Sequence, residues 1–255
     1  MRYLDDIGIS RRYGEGDYRD MFVCKEREKF ETQALCITEH LRGLIHRKIK
    51  VDGEIRTILF EAYAKGDKIR EREDIYCALF RPIIFDFDKY WQSSDYEKKQ
   101  MLADTLKYHL IKLFTERKWN TEYLISAFEY LQSENYTFMI TVKKYWISPN
   151  RLYKLTIELD WDLNEIVLYA VLRRFRKSEV IYRGILARIK PWPDHVCDMI
   201  DEAQWLSDTV FECSYPDGKR VVFKMEIEQD NENGIIVSNT CNCSPKFLGI
   251  EEQDN

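Results

Sequence analysis

The chain of 255 residues contains little glycine and little proline, with 10 and 6 residues respectively. Since 45% of its residues are hydrophobic, this composition indicates a folded globular protein and excludes collagen-like repeats and long flexible linkers. The longest apolar run, residues 166–172, is far shorter than the roughly 20 residues needed to cross a bilayer. The first residues contain no apolar stretch of signal-peptide length, so we expect a cytoplasmic protein without membrane contact.

The sequence also lacks the motifs that identify common reactions. It contains no G-x-S-x-G, no H-E-x-x-H and no phosphate-binding loop, and Gly14-Glu15-Gly16 lacks the third glycine of a dinucleotide fingerprint. Active-site residues can lie far apart in sequence, so these absences lower the expectation of an enzyme without excluding one. We expect no cofactor.

The seven cysteines are spread from Cys24 to Cys243. An odd number in a chain of this length favours reduced thiols, most of them small core side chains, over a disulfide framework. Cys241 and Cys243 form an isolated C-x-C, whereas a structural zinc site requires a second pair.

Helical periodicity dominates residues 1–134. Apolar spacing predicts a helix over residues 28–49 and a shorter one over 55–62, and residues 74–79 are predicted to be helical before Pro82 interrupts them. Ser94 and Glu97 have capping-box spacing ahead of a long helix, and a helix capped by Asn120 or Thr121 ends near residue 134.

From residue 135 the pattern becomes that of strands. Segments 136–147, 152–160, 166–176 and 179–189 are rich in β-branched and aromatic residues and predict an antiparallel meander. A helix over residues 196–206 and hairpin strands over 210–238 follow. We therefore expect an α+β fold, in which a helical N-terminal half (1–134) packs with an antiparallel C-terminal half (135–255) as one compact unit.

Charge is distributed unevenly between these segments. Residues 135–190 hold 11 basic and 5 acidic side chains, whereas residues 191–255 hold 4 basic and 14 acidic ones. The basic segment, residues 173–190, interleaves cations with aromatic rings and has the ingredients of a nucleic-acid surface. A solvated strand face whose cations pair with the acidic segment beside it is favoured instead, because the sequence pI is near 5.6.

The acidic segment predicts a docking face for a basic protein partner, because charge complementarity accelerates encounter and rejects wrong partners. A tryptophan in its predicted helix adds the residue type that dominates interface energetics. The candidate partner-binding residues are Asp198, Asp201, Glu202, Trp205, Glu226, Glu228 and Asp230.

Metal chemistry supplies the alternative function, a metal-dependent hydrolase or nuclease. The pairs Asp86 with Asp88 and Asp160 with Asp162, and the cluster of Asp194 and His195, contain metal-ligating residue types. Their spacing is weak evidence: the Asp160 pair is better explained as a turn, and only His195 with Asp198 and Asp194 with Asp198 have helical ligand spacing. Pro193-Asp194 and Asp217-x-Lys219 spell a nuclease pattern, but Asp217 falls in a predicted turn. We therefore expect no metal site.

A resemblance to a known family also favours a protein-binding function. The segment 85–91, Phe-Asp-Phe-Asp-Lys-Tyr-Trp, and the helix opening at residues 95–99 resemble bacterial immunity proteins of polymorphic toxins. This resemblance implies an acidic, non-catalytic protein that neutralises a toxin, such as a nuclease, by covering its active surface. It assigns no functional residue.

Overall fold

The structure, a computed structural model, describes residues 2–13, 21–70, 72–191, 200, 202–214, 221–231 and 234–241. The chain divides into two compact units, residues 1–137 and 138–255. No helix in the described ranges is both long enough and apolar enough to cross a membrane.

Three of the predicted helices are present in the first unit, and their local signals explain them. The Ser94 side chain and the Glu97 side chain form a capping box that starts helix α3 (Asp95–Arg117). The Asn120 side chain accepts a hydrogen bond from the Glu122 amide at the start of helix α4 (Glu122–Ser133), which ends beside Glu134 as predicted. The helices described in this unit are α1 (Met21–Ile45), α2 (Phe87–Gln92), α3 (Asp95–Arg117) and α4 (Glu122–Ser133).

A three-stranded parallel sheet in the first unit was not predicted. Its strands β2 (Asp6–Arg11), β4 (Thr57–Tyr63) and β5 (Ala78–Ile84) lie in that order, and short strands β1 (Arg2–Tyr3) and β3 (Lys50–Val51) pair separately. The predicted helix over residues 55–62 is therefore wrong, because that segment is the central strand β4. The predicted helix over 74–79 is also wrong, since β5 begins at Ala78.

The aromatic and acidic segment 85–91 has local structural roles. Phe85, Phe87 and Tyr90 pack edge-on around Phe30 of α1, with ring centroids 5.0–5.4 Å from it. Asp86 caps α2 by accepting a hydrogen bond from the Lys89 amide at 3.0 Å. These contacts explain the aromatic and acidic alternation as core packing and helix capping.

The second unit opens with the predicted meander. Strands β6 (Met139–Ile147), β7 (Tyr153–Trp161), β8 (Ile166–Arg174) and β9 (Val180–Ile189) form an antiparallel sheet in sequential order. Alternation places Leu155, Ile157 and Leu168 on the buried face. The opposite face contains the charged register pair Lys154 with Arg173 and, further along, the buried pair Thr156 with Val171.

A second antiparallel sheet contains β10 (Gln204–Trp205), β11 (Val210–Ser214), β12 (Val221–Asn231) and β13 (Gly234–Cys241). The Trp146 ring of the β6–β9 sheet contacts the Phe211 ring of the β10–β13 sheet, with ring centroids 5.3 Å apart. Residues 196–199 and 201 of the predicted helix 196–206 lie outside the described residues, and residues 200 and 202 are helical as predicted. Where it can be compared, the assignment of Trp205 to a helix is wrong, because Trp205 belongs to β10 and pairs with Phe211.

The fold is α+β only in a coarse sense. Helices are mostly N-terminal, but strands occur in both halves, and one sheet is parallel. Among the cysteines with described side chains, Cys36, Cys77 and Cys213 form no disulfide; Cys36 and Cys213 are buried as small core residues, whereas Cys77 is exposed.

Candidate binding surfaces

The predicted docking residues separate into three groups in the structure. Asp198 and Asp201 lie outside the described residues. Glu202 and Glu228 are exposed, and Glu226 is partly exposed. Trp205 and Asp230 are instead engaged in contacts inside the second unit. The structure therefore does not place the seven residues on one surface.

Trp205 points to the interior side of its sheet. Its register partner is Phe211, which in turn pairs with Met225, and both of these side chains are fully buried. The indole stacks on the Tyr153 ring of the first sheet, with centroids 6.4 Å apart and an interplanar angle of 20°. Glu226 follows Met225 in β12 and so points to the opposite face.

Asp230 is neutralised within the protein. Its carboxylate accepts hydrogen bonds from both terminal nitrogens of Arg174 and from the Tyr153 hydroxyl. These bonds, led by that from Arg174, hold the pKa of Asp230 below its ordinary value. Burial, followed by the bond to Asp230, raises the pKa of Tyr153 to about 12. Asp230 thus joins the two sheets.

The outward side of the second sheet carries carboxylates. Register places Glu212 opposite Lys224, with Glu226 two residues further along the same face. Lys224 Nζ lies 2.8 Å from Glu226 Oε2, and this hydrogen bond raises the pKa of Lys224. We call Glu202, Glu212, Glu226 and Glu228 the acidic face.

The ion pairs of the β6–β9 sheet test the two interpretations of the basic segment. Arg174 pairs with Asp230, Arg183 with Glu158 at 3.1 Å, and Arg188 with Glu165 at 2.5 Å. For Arg174 the interpretation as a cation paired with the acidic segment is correct. Arg183 and Arg188 pair instead with carboxylates of residues 135–190.

Four further cations lie near the turn between β8 and β9. Within the described part of the chain, no carboxylate lies within ion-pair distance of Lys154, Arg173, Arg176 or Lys177. They line a cavity of about 460 Å³ together with Tyr145, Phe175 and Ser178. We call this the basic corner. The sequence contains its signal, four cations among residues 173–177 of which three line the cavity, but only the fold adds Lys154 and Tyr145.

The candidate metal ligands have structural roles where they are described. Asp86 caps α2, and the Asp162 amide donates to the Glu165 carbonyl in the turn before β8, in agreement with the predicted turn. No group of three or more His, Cys, Asp or Glu side chains able to hold a metal occurs among the described residues. Asp194, His195, Asp217 and Lys219 lie outside them.

Two histidines of the first unit are affected by burial. His40 is buried, which lowers its pKa to about 4. His109 faces Phe60, with ring centroids 5.9 Å apart, and its partial burial and nearby Lys112 lower its pKa. These surroundings are those of histidines packed against the core.

No protein-family model, curated protein or solved structure matches this chain. We therefore infer the function from the surfaces described above.

Proposed function

We propose that the chain is a non-catalytic binding protein that docks a basic protein partner on its acidic face. The observation that carries the proposal is the outward placement of Glu212 and Glu226, with the exposed Glu202 and Glu228 in the same sheet region. Lys224 is the one cation among the described residues of β10–β13. The face therefore has an excess of negative charge.

The exposure of these carboxylates supports docking over a role in folding. The Lys224–Glu226 pair is open to solvent, with 39% and 44% of the two side chains exposed, so it contributes little to stability. An exposed carboxylate can exchange such a partner for a lysine or arginine of another protein at small cost. Complementary charge then raises the association rate and makes it sensitive to salt.

The class of partner follows from the resemblance of residues 85–99 to immunity proteins. We propose a toxin domain with a basic active surface, such as a nuclease, whose activity the chain suppresses by covering that surface. Trp205 and Asp230 contribute indirectly, because they hold together the two sheets of the unit that presents the acidic face.

Affinity copurification from the native cells tests this proposal. The wild-type chain is compared with a variant combining Glu202→Gln, Glu226→Gln and Glu228→Gln, at low and high salt, and bound proteins are identified by mass spectrometry. We expect the wild type to retain a stoichiometric basic protein that the variant loses. The purified partner's toxicity or nuclease activity should fall when the wild-type chain is added.

A matched control removes the same number of charges elsewhere. The control variant combines Glu158→Gln, Glu165→Gln and Glu179→Gln. These positions lie in the β6–β9 sheet and its turns, away from the acidic face. This control should retain the partner. If both variants bind the same partner with unchanged affinity and salt dependence, the acidic face is not the docking site.

A further inference from the structure

The basic corner has an electrostatic arrangement that the fold alone does not explain. Lys154 and Arg173 lie directly opposite each other in the β7–β8 register, and their side chains share one face. Like charges in directly opposite positions destabilise a sheet. Arg176 and Lys177, in the following turn, bring two more positive charges to the same cavity.

The neighbouring groups hold these cations in place without neutralising them. Arg173 donates a hydrogen bond to the Thr156 hydroxyl at 2.8 Å, and the Lys154 ammonium lies 4.3 Å from the centroid of the Tyr145 ring. A hydroxyl and an aromatic ring carry no net charge. The repulsion among the four cations therefore remains, and a bound anion would relieve it.

The backbone provides a separate observation. Arg176 has a φ of 68°, in the left-handed region that non-glycine residues rarely occupy. Its turn is closed by a hydrogen bond from the Lys177 amide to the Arg174 carbonyl at 3.0 Å. A long cationic side chain is thus kept at a position that favours glycine.

We propose that the basic corner binds the phosphate of a nucleotide whose base stacks on Tyr145. Several converging cations suit a dianionic phosphate better than a single carboxylate. The Tyr145 side chain is 53% exposed and offers a flat surface for a base. The cavity of about 460 Å³ lies within the range of small-molecule sites, about 300–1,000 Å³.

The ligand is confined to the corner. Arg183 and Arg188, further along the same sheet, are paired with Glu158 and Glu165 and are less available to phosphates. The site therefore holds one nucleotide, which is either free or part of a single-stranded nucleic acid. It does not use the acidic face and is independent of the proposed protein partner.

Titrations with three probes test the proposal and distinguish the two sources. Pyrophosphate and AMP are titrated by calorimetry, and a fluorescein-labelled ten-residue oligothymidylate by anisotropy, with the full-length chain. Binding of AMP would assign the site to a free nucleotide, and binding of the oligonucleotide alone would assign it to a nucleotide within a strand. Absence of binding by all three probes would overturn the proposal.

Charge-matched variants locate the site. Arg173→Gln with Lys177→Gln should weaken each probe that binds at least tenfold, whereas Arg183→Gln with Arg188→Gln should weaken it less than threefold. For the oligonucleotide, the first variant should also reduce the salt slope by about 0.7, since the corner neutralises one phosphate and each phosphate contact on a single strand contributes about 0.7. Equal losses in both variants would indicate nonspecific attraction and overturn the proposal.

A third substitution tests the stacking contact. Tyr145→Leu should lower the affinity for AMP at least threefold and leave the affinity for pyrophosphate unchanged. If only the oligonucleotide binds, its affinity should fall by the same factor. Unchanged affinity for the base-containing probe would overturn stacking on Tyr145. Urea unfolding verifies that each variant folds, and the exposed single change Lys177→Gln replaces the double variant if the latter does not fold. It should weaken binding at least threefold, and unchanged affinity would overturn the site.

Discussion

Arg174 and Asp230 form a two-point ion pair between strands of different sheets, 56 residues apart in the chain. Arg174 ends β8, and Asp230 is near the end of β12. The carboxylate also accepts the Tyr153 hydroxyl, so three donors from one sheet hold a single side chain of the other. The side chains are 35% and 16% exposed, and this partial burial makes the pair more consequential than an open surface pair.

Asp230→Asn should therefore lower the free energy of unfolding by about 1–2 kcal/mol, because the charge-assisted bonds to Arg174 are lost in a partly buried site. Urea unfolding measures the change, and a double-mutant cycle with Arg174→Gln isolates the coupling. Lys224→Gln is the exposed control and should change stability by less than about 0.5 kcal/mol. A coupling energy near zero would contradict the assigned role of the pair.

Acid should weaken the same contact. The pKa of Asp230 is lower in the folded state, so its contribution is complete above the unfolded value of about 4 and is lost as pH falls through the folded pKa. We expect the stability difference between wild type and Asp230→Asn to shrink below about pH 4. Urea unfolding of both proteins at pH 6 and pH 3 measures it. A difference of the same size at both values would be inconsistent with this linkage.

His40 should make the stability of the chain fall at a higher pH. Burial lowers its pKa from 6.5 to about 4, so the unfolded state binds a proton first as pH falls. Stability is complete above about pH 6.5 and is lost progressively toward pH 4, by up to about 3 kcal/mol. His40→Gln should flatten the unfolding free energy between pH 7.5 and 4.5, whereas the exposed control His46→Gln should retain the wild-type profile.

The two helix starts of the first unit offer a matched comparison. Ser94 and Glu97 cap each other at α3, whereas the Thr121 side chain makes no capping bond at α4. Ser94→Ala should lower the free energy of unfolding by about 1 kcal/mol, and Thr121→Ala by less than about 0.3 kcal/mol. Chemical unfolding of the first unit's helical signal measures both. Equal effects would contradict the importance of the capping box.

The elements predicted correctly from sequence are those defined by local signals. The capping box precedes α3, and alternating β-branched and aromatic residues identify β6–β9. Strand β4 was assigned as a helix because a strand buried on both faces has no alternation and its apolar residues also fit helical spacing. Pro82 was assigned to a break, yet it is tolerated in β5 because that strand lies at the sheet edge.

The candidate site was less accessible from sequence. Trp205 and Asp230 share an acidic segment with Glu226, but strand pairing directs them inward and Glu226 outward. Likewise, Arg173 and Arg174 are neighbours, and only alternation sends one to the basic corner and the other to Asp230. A shift of one residue reverses these assignments, and sequence composition does not determine it.

Replacing Arg176 by glycine should change folding stability and nucleotide binding in opposite directions. Its left-handed backbone is strained for arginine and ordinary for glycine, and its side chain lines the basic corner. Arg176→Gly should raise the free energy of unfolding by up to about 1 kcal/mol, because the strain and one repulsive charge disappear while glycine gains some unfolded-state entropy. The same variant should bind the nucleotide probe at least threefold more weakly.

Arg176→Gln should weaken binding to a similar degree without the full gain in stability, because it keeps the strained backbone. Urea unfolding and probe titration on the same samples measure both quantities. If Arg176→Gly becomes more stable and binds the probe as tightly as the wild type does, then Arg176 does not contact the phosphate.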